Sequence, residues 1–414
     1  KEAAEPAGAT ESKGAPVTAG AGAGVEGEAV DGDAAARTGP EYERRGPKRK
    51  VAVVYGYCGN RFFGSAWQAD VLTAESELVD AFSKAGYIMK AHSNDLSKVH
   101  FTRCARTDKG VHAVGNVVGF KCAMEAGEAL DVVRTRVNAV LKPDIQVHGL
   151  VRVVGSFNAK QMCSGRRYEY LLPTFVFNPA DEGVNPNSAP GMRTMVPNRI
   201  AMADWSGPGP APDDYQSGRA LALGRQHLCE GPCVLTSALN RKAYRVPAAT
   251  LERFTRIIQG YLGTKPYHNF SKALKSGDRN APRVLKELGV DPPIIIQGLE
   301  CVRVTLWGQA FVYNQIRHMI GFAVHYARNP TLPEDLPARM FGPENSHTPL
   351  APAAGLFLHN PIFDAYNKRH GDIHGGLHPG DGELGSLLTA FKQEKVWAEV
   401  VREIVQEKPF EIWV

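Results

Sequence analysis

Apolar positions along the chain fall into stretches with different periods. "KVAVVYGYCG" (50–59) is a continuous apolar run stopped by Gly59, the pattern of a buried strand. Ala74, Leu78 and Phe82 then recur at i, i+4 spacing and predict an amphipathic helix. "VHFTRCA" (99–105) and "AVGNVVGFKC" (113–122) read as strands flanking a turn, "LDVVRTRVNAVL" (130–141) as a second helix, and "DIQVHGLVRVV" (144–154) as another strand. This β-α-β-β-α-β order within roughly a hundred residues matches the ferredoxin-like split motif.

The second half has a similar mix. "GRRYEYLLPTFVF" (165–177) alternates as a strand that runs into a loop. From Asn178 to about Arg225 Pro and Gly are dense and no period holds, which predicts a surface insertion. "AATLERFTRIIQGYLG" (248–263) predicts a helix closed by Gly263, "PPIIIQGLECVRVTLWG" (292–308) two strands, and "FVYNQIRHMIGFAVHYARN" (311–329) a long helix. The expected class is α+β, with two subdomains sharing a sheet. The expected organisation is a tail at 1–45, an N-terminal subdomain at 46–165 and a C-terminal subdomain at 166–414. The last carries the 178–225 insertion and a C-terminal helical extension.

Composition modifies this picture at the N-terminus. Residues 1–43 are largely Ala, Gly, Glu and Pro, too poor in large apolar side chains to offset ordering entropy, so the tail is expected to be disordered. Residues 1–45 carry a net −4, which leaves +9 on the remainder of a chain whose total is +5. A basic body suits a polyanionic partner. The run "RRGPKRK" (44–50) reads equally as a nuclear-import signal, a phosphate contact or a solvated strand flank. Seven scattered cysteines point to a reducing compartment. Cys229 and Cys233, the only close pair, lack a second pair at zinc spacing. No run reaches the ~18–20 apolar residues of a membrane span. The chain starts at Lys1 rather than Met, so a targeting peptide could precede it.

Three places could carry chemistry. In "FTRCARTDKGVHAVGNVVGF" (101–120) one acid, Asp108, sits among Arg103, Arg106, Lys109 and His112. "TDKG" is a tight turn with Gly110 at a position needing positive φ. The same turn can present an ionised carboxylate as a nucleophile to an anionic substrate, with Arg106 and Lys109 near its phosphates. In "RRYEY", Tyr168 and Tyr170 share one strand face. Buried tyrosines are usually core; the alternative is a ring that stacks on a base while its hydroxyl serves the chemistry. Arg317 lies at the margin of an apolar helix stripe with Tyr313 and Ile320, either snorkelling or paired with a distant carboxylate. Phosphate-binding loops, a strand-bound G-x-G-x-x-G, the zinc-deaminase signature and the G-x-S-x-G elbow do not occur.

"ARTDKGVHA" (105–113) resembles the aspartate motif of the TruA-type tRNA pseudouridine synthase family, in its eukaryotic pseudouridine synthase one branch. "KRKVAVVYGYCGNRFFG", "RRYEYLLPTF", "YLGTKPYHNFSK", "FVYNQIRHMIG", "APAAGLFLHN" and "FDAYNKRHGDIHGGLH" resemble its other motifs in order. The resemblance covers Lys48 to Asn178 and Gln226 to Val414. It implies two ferredoxin-like (RRM-like) subdomains sharing an extended, mainly antiparallel sheet around a basic cleft. It implies isomerisation of uridine in tRNA to pseudouridine without a cofactor or metal. Asp108 is the implied nucleophile, on the ribose C1′ or on the base. Tyr168 is implied to stack under the base and act as general base, and Arg317 to pair with Asp108 and keep it ionised. Arg106 is implied to fill the space of the flipped nucleotide, and Leu356 to pack against the base. Lys109 and His112 are expected to face the RNA. "FFGSAWQ" carries extra residues relative to the family, "GTKPYHNFSK" departs from its usual His-Asn-Phe repeat, and the insertion has no counterpart.

The alternative is an RNA-binding or assembly factor that keeps the fold and has lost the chemistry. A sugar hydrolase would need a second acid beside Asp108, and none is close in sequence. The expected partner is tRNA, extending to other structured RNA, with no membrane. The expected state is a monomer, with a homodimer as the alternative. The expected location is nuclear, with a mitochondrial alternative.

Overall fold

The structure is a computed structural model that describes residues 46–178 and 238–413. The expected tail (1–45), the insertion beyond Asn178 and the Cys229/Cys233 pair lie outside the described residues.

Strand β1 (Lys48–Tyr57) is buried from Lys50 onward, which explains its unbroken apolar sequence: both faces are covered. It pairs antiparallel with β3 (His112–Ala123) on one side and with β4 (Ile145–Arg152) on the other. Helix α1 (Ala74–Lys84) starts in a Thr73–Ser76 capping box and buries Leu78, Val79 and Phe82. Helix α2 (Leu130–Asn138) buries Val133 and Val137. The expected strand "VHFTRCA" shrinks to β2 (Thr102–Arg103) on the edge of β3. A 3₁₀ turn at Leu96–Val99 and a left-handed His100 (φ 50°) occupy the residues before it.

In the second half, β5 (Gly165–Pro173) passes into a 3₁₀ turn as expected. Helix α3 (Ala248–Gln259) ends at Gly260 rather than Gly263. Gly263, at φ +90°, instead opens β6 (Gly263–Pro266), which pairs with β7 (Pro282–Val290). The sequence pattern missed both strands. In β7 a bulge between Leu285 and Glu287 separates the buried Leu285 and Leu288 by three residues, which erases the two-residue period. β8 (Ile294–Ile296) and β9 (Leu299–Gly308) follow the expectation. Helix α4 (Gln315–Arg328) begins after Asn314, whose left-handed φ of 58° suits an Asn. Tyr313 therefore precedes the helix instead of lying on its face.

Among the described residues the sheet has ten strands, in the order β4-β1-β3-β10-β5-β9-β7-β6, with β2 on β3 and β8 on β9. It is antiparallel throughout except where β10 (Leu356–Ile362) meets β3. That parallel seam joins the two halves. It places His112 beside Phe357 and Ala113 beside Leu358, while Leu358 pairs with Tyr168 and Leu356 with Tyr170. The expected C-terminal helices are α5 (Asp364–His374), α6 (Gly382–Phe391) and α7 (Trp397–Gln406), with a π-helical turn at Lys392–Val396. Phe391 packs edge-on against His148 of β4, ring centroids 5.0 Å apart. Among the described residues no helix is long and apolar enough to cross a membrane.

Candidate active site

The loop before β3 holds Asp108 in a rigid turn. Val111 N–H donates to the Asp108 carbonyl (3.1 Å), and Gly110 takes φ +77°, the positive value expected from "TDKG". On the other side, Thr107 is tied down three times. Its N–H donates to Ser65 Oγ (2.9 Å), its carbonyl accepts from Ser65 N–H (3.0 Å), and its hydroxyl meets the Tyr57 hydroxyl (2.7 Å). Asn116, fully buried, donates to the Ala105 carbonyl (3.3 Å). A buried polar group that loses its partner costs about 1–3 kcal/mol, so this mesh resists distortion.

Arg317 projects from the first turn of α4. A Cβ at Gly321 would collide with the Pro349 carbonyl, so that glycine lets the helix lie directly on the 349–351 segment. Arg317 Nε donates to the Ala351 carbonyl (2.6 Å) and Nη1 to Asn314 Oδ1 (3.3 Å). Tyr170 secures the same segment by donating to the Pro352 carbonyl (2.8 Å). The direct pairing with Asp108 expected for Arg317 is not what the structure holds. Among the described residues no ion pair within 4.0 Å joins them. They interact through space: the Asp108 carboxyl is pushed above its usual value by desolvation, and the Arg317 charge opposes that rise. The Asp108 residue is open to solvent, yet enough protein surrounds its carboxyl for desolvation to dominate.

Tyr168 is 9% exposed and meets Phe311 edge to face, centroids 5.2 Å apart. Its hydroxyl makes no hydrogen bond among the described residues. Burial raises its pKa well above 10; Arg166 opposes the rise, and Cys104, Tyr57 and Asp108 add to it. The resting phenol is therefore neutral. Arg166 clasps the two halves together: Nη2 donates to the Cys104 carbonyl (2.8 Å) and Nη1 to the Gln309 carbonyl (3.1 Å). Behind Tyr168, Glu169 is buried against Lys392 Nζ at 3.1 Å, with Arg303 at 3.7 Å.

Arg106 and Lys109 are exposed beside Asp108, and Leu356 is buried next to Tyr170 in the register. His112 corrects the sequence reading. It is completely buried, its Nδ1 accepts from Gly59 N–H (3.0 Å), and its Nε2 lies 4.0 Å from Glu403 of α7. A side chain closed beneath the C-terminal helices does not face RNA. Sequence reasoning missed Tyr57, Asn116 and Arg166. Polar residues inside the apolar runs "VVYGY" and "VGNVV" were the available signal for the first two. A cavity of about 530 Å³ lies elsewhere, lined by Cys58, Arg61, Asp144, Lys395, Glu399 and Arg402.

A family model described as tRNA pseudouridine synthase matches residues 257–364. The chain is 33% identical to tRNA pseudouridine synthase 1 of Eremothecium gossypii over 416 residues, 92% of this chain and 75% of that protein. It is 34% identical to the protein of the same name from Candida glabrata over 399 residues, 89% of this chain and 70% of that one. The pseudouridylate synthase 1 homolog of Mus musculus is 30% identical over 379 residues, 90% and 75% of the two chains. Identity on this scale over most of both chains means that the chain belongs to the TruA-type tRNA pseudouridine synthase family.

Proposed function

We propose that this isomerase converts uridine in tRNA to pseudouridine with Asp108 as its nucleophile. One observation carries the assignment: Asp108, Tyr168 and Arg317, from a loop, a strand and a helix far apart in sequence, share one electrostatic neighbourhood. The Asp108 charge acts on both Arg317 and Tyr168. In its ionised form the carboxylate attacks the ribose C1′ or the base, and the N1–C1′ bond breaks. The base then turns and C5 bonds to C1′ as the bond to Asp108 breaks and the carboxylate is regenerated; the proton that C5 loses is balanced by the one that N1 gains. Nothing is oxidised or reduced. Tyr168 lies under the base and Leu356 against it. Arg106 fills the space that the flipped nucleotide leaves, since the target must quit its stack to be reached. Arg106 and Lys109 meet phosphates.

We also read the two halves as ferredoxin-like. The reading is supported by the strand orders β4-β1-β3-β2 and β10-β5-β9-β7, each the same pattern of first, second, third and fourth strands. The boundary falls near residue 165. The basic run at 44–50 supports nuclear import, and imaging of a chain with neutral residues there distinguishes it from mitochondrial targeting. We propose a monomer, which sedimentation checks, and a substrate range that extends to other structured RNA.

The direct test compares wild type with Asp108→Ala on an unmodified tRNA transcript. The wild type forms pseudouridine, and the variant forms none while its RNA affinity stays within a few fold. A wild type that binds tRNA and leaves every uridine unchanged would be the silent binding factor instead.

A further inference from the structure

"FFGSAWQ" places two phenylalanines side by side with opposite fates. Phe62 is buried and meets Tyr57 edge to face at 5.9 Å, whereas Phe63 is 53% exposed. Leaving about half of a phenylalanine in water needs a reason, because burying it fully would stabilise the fold further, full burial of such a side chain being worth about 1.5–3 kcal/mol. The loop that carries it is not loose. Phe63 N–H donates to the Leu72 carbonyl (2.9 Å), and Ser65 is bonded twice to Thr107. Fully buried Glu75 accepts from Trp67 N–H (2.9 Å) and from Arg103 Nε (2.7 Å). The extra residues of this loop are thus folded around a buried carboxylate and fixed to the catalytic turn. Lys109, the residue after Asp108, sets its ammonium over the Phe63 ring, 4.6 Å from the centroid.

We propose that Phe63 is a stacking platform at the rim of the site that takes a nucleobase of the RNA next to the flipped uridine. The inference rests on the pseudouridine synthase reading. For a uridine to reach Asp108, the RNA must cover the surface around that turn, and Phe63 is held there by Ser65 and Lys109. A rigid, exposed aromatic face presents an unstacked base with a partner at little entropic cost, whatever the base. Lys109 closes one side of the ring and lies ready for the phosphate of the same nucleotide. Arg106 and Lys109 have no acidic partner within 4.0 Å among the described residues, so the rim suits a polyanion better than an apolar peptide.

The test uses the full chain with an unmodified tRNA transcript, measuring affinity, kcat and KM across a salt series. Phe63→Ala weakens affinity and raises KM by about 5- to 150-fold, the range of one base stack. It leaves the salt slope unchanged, because no phosphate contact is lost. Phe63→Trp restores binding, and Phe63→Leu behaves like Phe63→Ala. Full affinity in Phe63→Ala overturns the proposal. So does rescue by Phe63→Leu, which would mean apolar packing or an apolar partner. Wild-type turnover in the same assay keeps the pseudouridine synthase reading standing if the platform falls.

Discussion

Asp108 and Arg317 act on each other through space without forming an ion pair. The guanidinium is committed to the Ala351 carbonyl and Asn314, so its charge is fixed in position and reaches the carboxylate only through space. Burial lifts the Asp108 pKa and Arg317 lowers it, so removing the cation lifts it further. On the proposed mechanism the ionised form is the nucleophile, so activity should rise with pH through this pKa. Arg317→Gln should shift the acidic limb of the kcat profile to higher pH, and Arg317→Lys should shift it less. Acidic limbs that superimpose for wild type and Arg317→Gln would show that Arg317 serves only to hold the 351 segment.

Arg166 is the second lever on the site, because its two hydrogen bonds tie the Asp108 loop at Cys104 to the end of β9 at Gln309. Arg166→Met removes both bonds and leaves two carbonyls to find water. A displacement of about 1 Å in a catalytic group can cost ~100-fold. We expect kcat to fall by about 10- to 100-fold while KM changes little, with a loss of about 1–3 kcal/mol in urea unfolding. Steady-state kinetics on a tRNA transcript decide it, and a kcat within twofold of wild type rejects a positioning role.

The parts of the site legible in sequence were those whose signal is local. "TDKG" forecasts its own turn, because Gly110 alone tolerates the φ that the turn needs. The alternation in "RRYEY" was enough to place Tyr168 and Tyr170 on one face of a strand. His112 was misread because its surroundings are set from nearly three hundred residues away, by α7, and neither charge nor spacing announces a covering helix. β7 escaped because a bulge breaks its period, and Phe63 because period-based reading cannot tell which of two adjacent rings turns inward. The relation between Asp108 and Arg317 was anticipated as a direct pair and found as a through-space interaction, a distinction that depends on side-chain reach and not on sequence.

Glu169 lies one residue from Tyr168 and is held from behind by Lys392 in the π-helical turn, both nearly fully buried. Arg303 at 3.7 Å and a His359 imidazole at 3.3 Å, its pKa pushed down to about 4 by burial, complete the surroundings. Lys392→Met should cost up to about 3–5 kcal/mol, because it leaves a buried carboxylate short of its nearest cation. The double variant Glu169→Gln/Lys392→Met should recover most of that loss. Chemical denaturation of the four chains measures the coupling. Strictly additive losses would mean that the C-terminal helices are not braced on β5 by this pair.

Beneath α7, Glu403 and His112 are two buried groups that titrate in opposite senses. The Glu403 pKa is pushed up to about 8, first by burial and then by Glu407 and Glu399, from an ordinary 4.5. Burial pushes His112 down to about 4 from 6.5. Between pH 4.5 and 8 the unfolded chain has released the Glu403 proton and the native chain still holds it, so stability contributed by this group falls as pH rises. For His112 the unfolded chain binds the extra proton between about pH 4 and 6.5, so stability rises with pH there. The two slopes oppose each other up to pH 6.5, and above it Glu403 acts alone. Comparing wild type with Glu403→Gln isolates Glu403, since His112 is common to both. The variant should gain stability relative to wild type steadily from pH 5 to pH 8, by a few kcal/mol at most, and hold that gain beyond. Thermal unfolding across pH 5–9 is the measurement, and melting curves that stay parallel throughout would mean that Glu403 is ionised in the native protein.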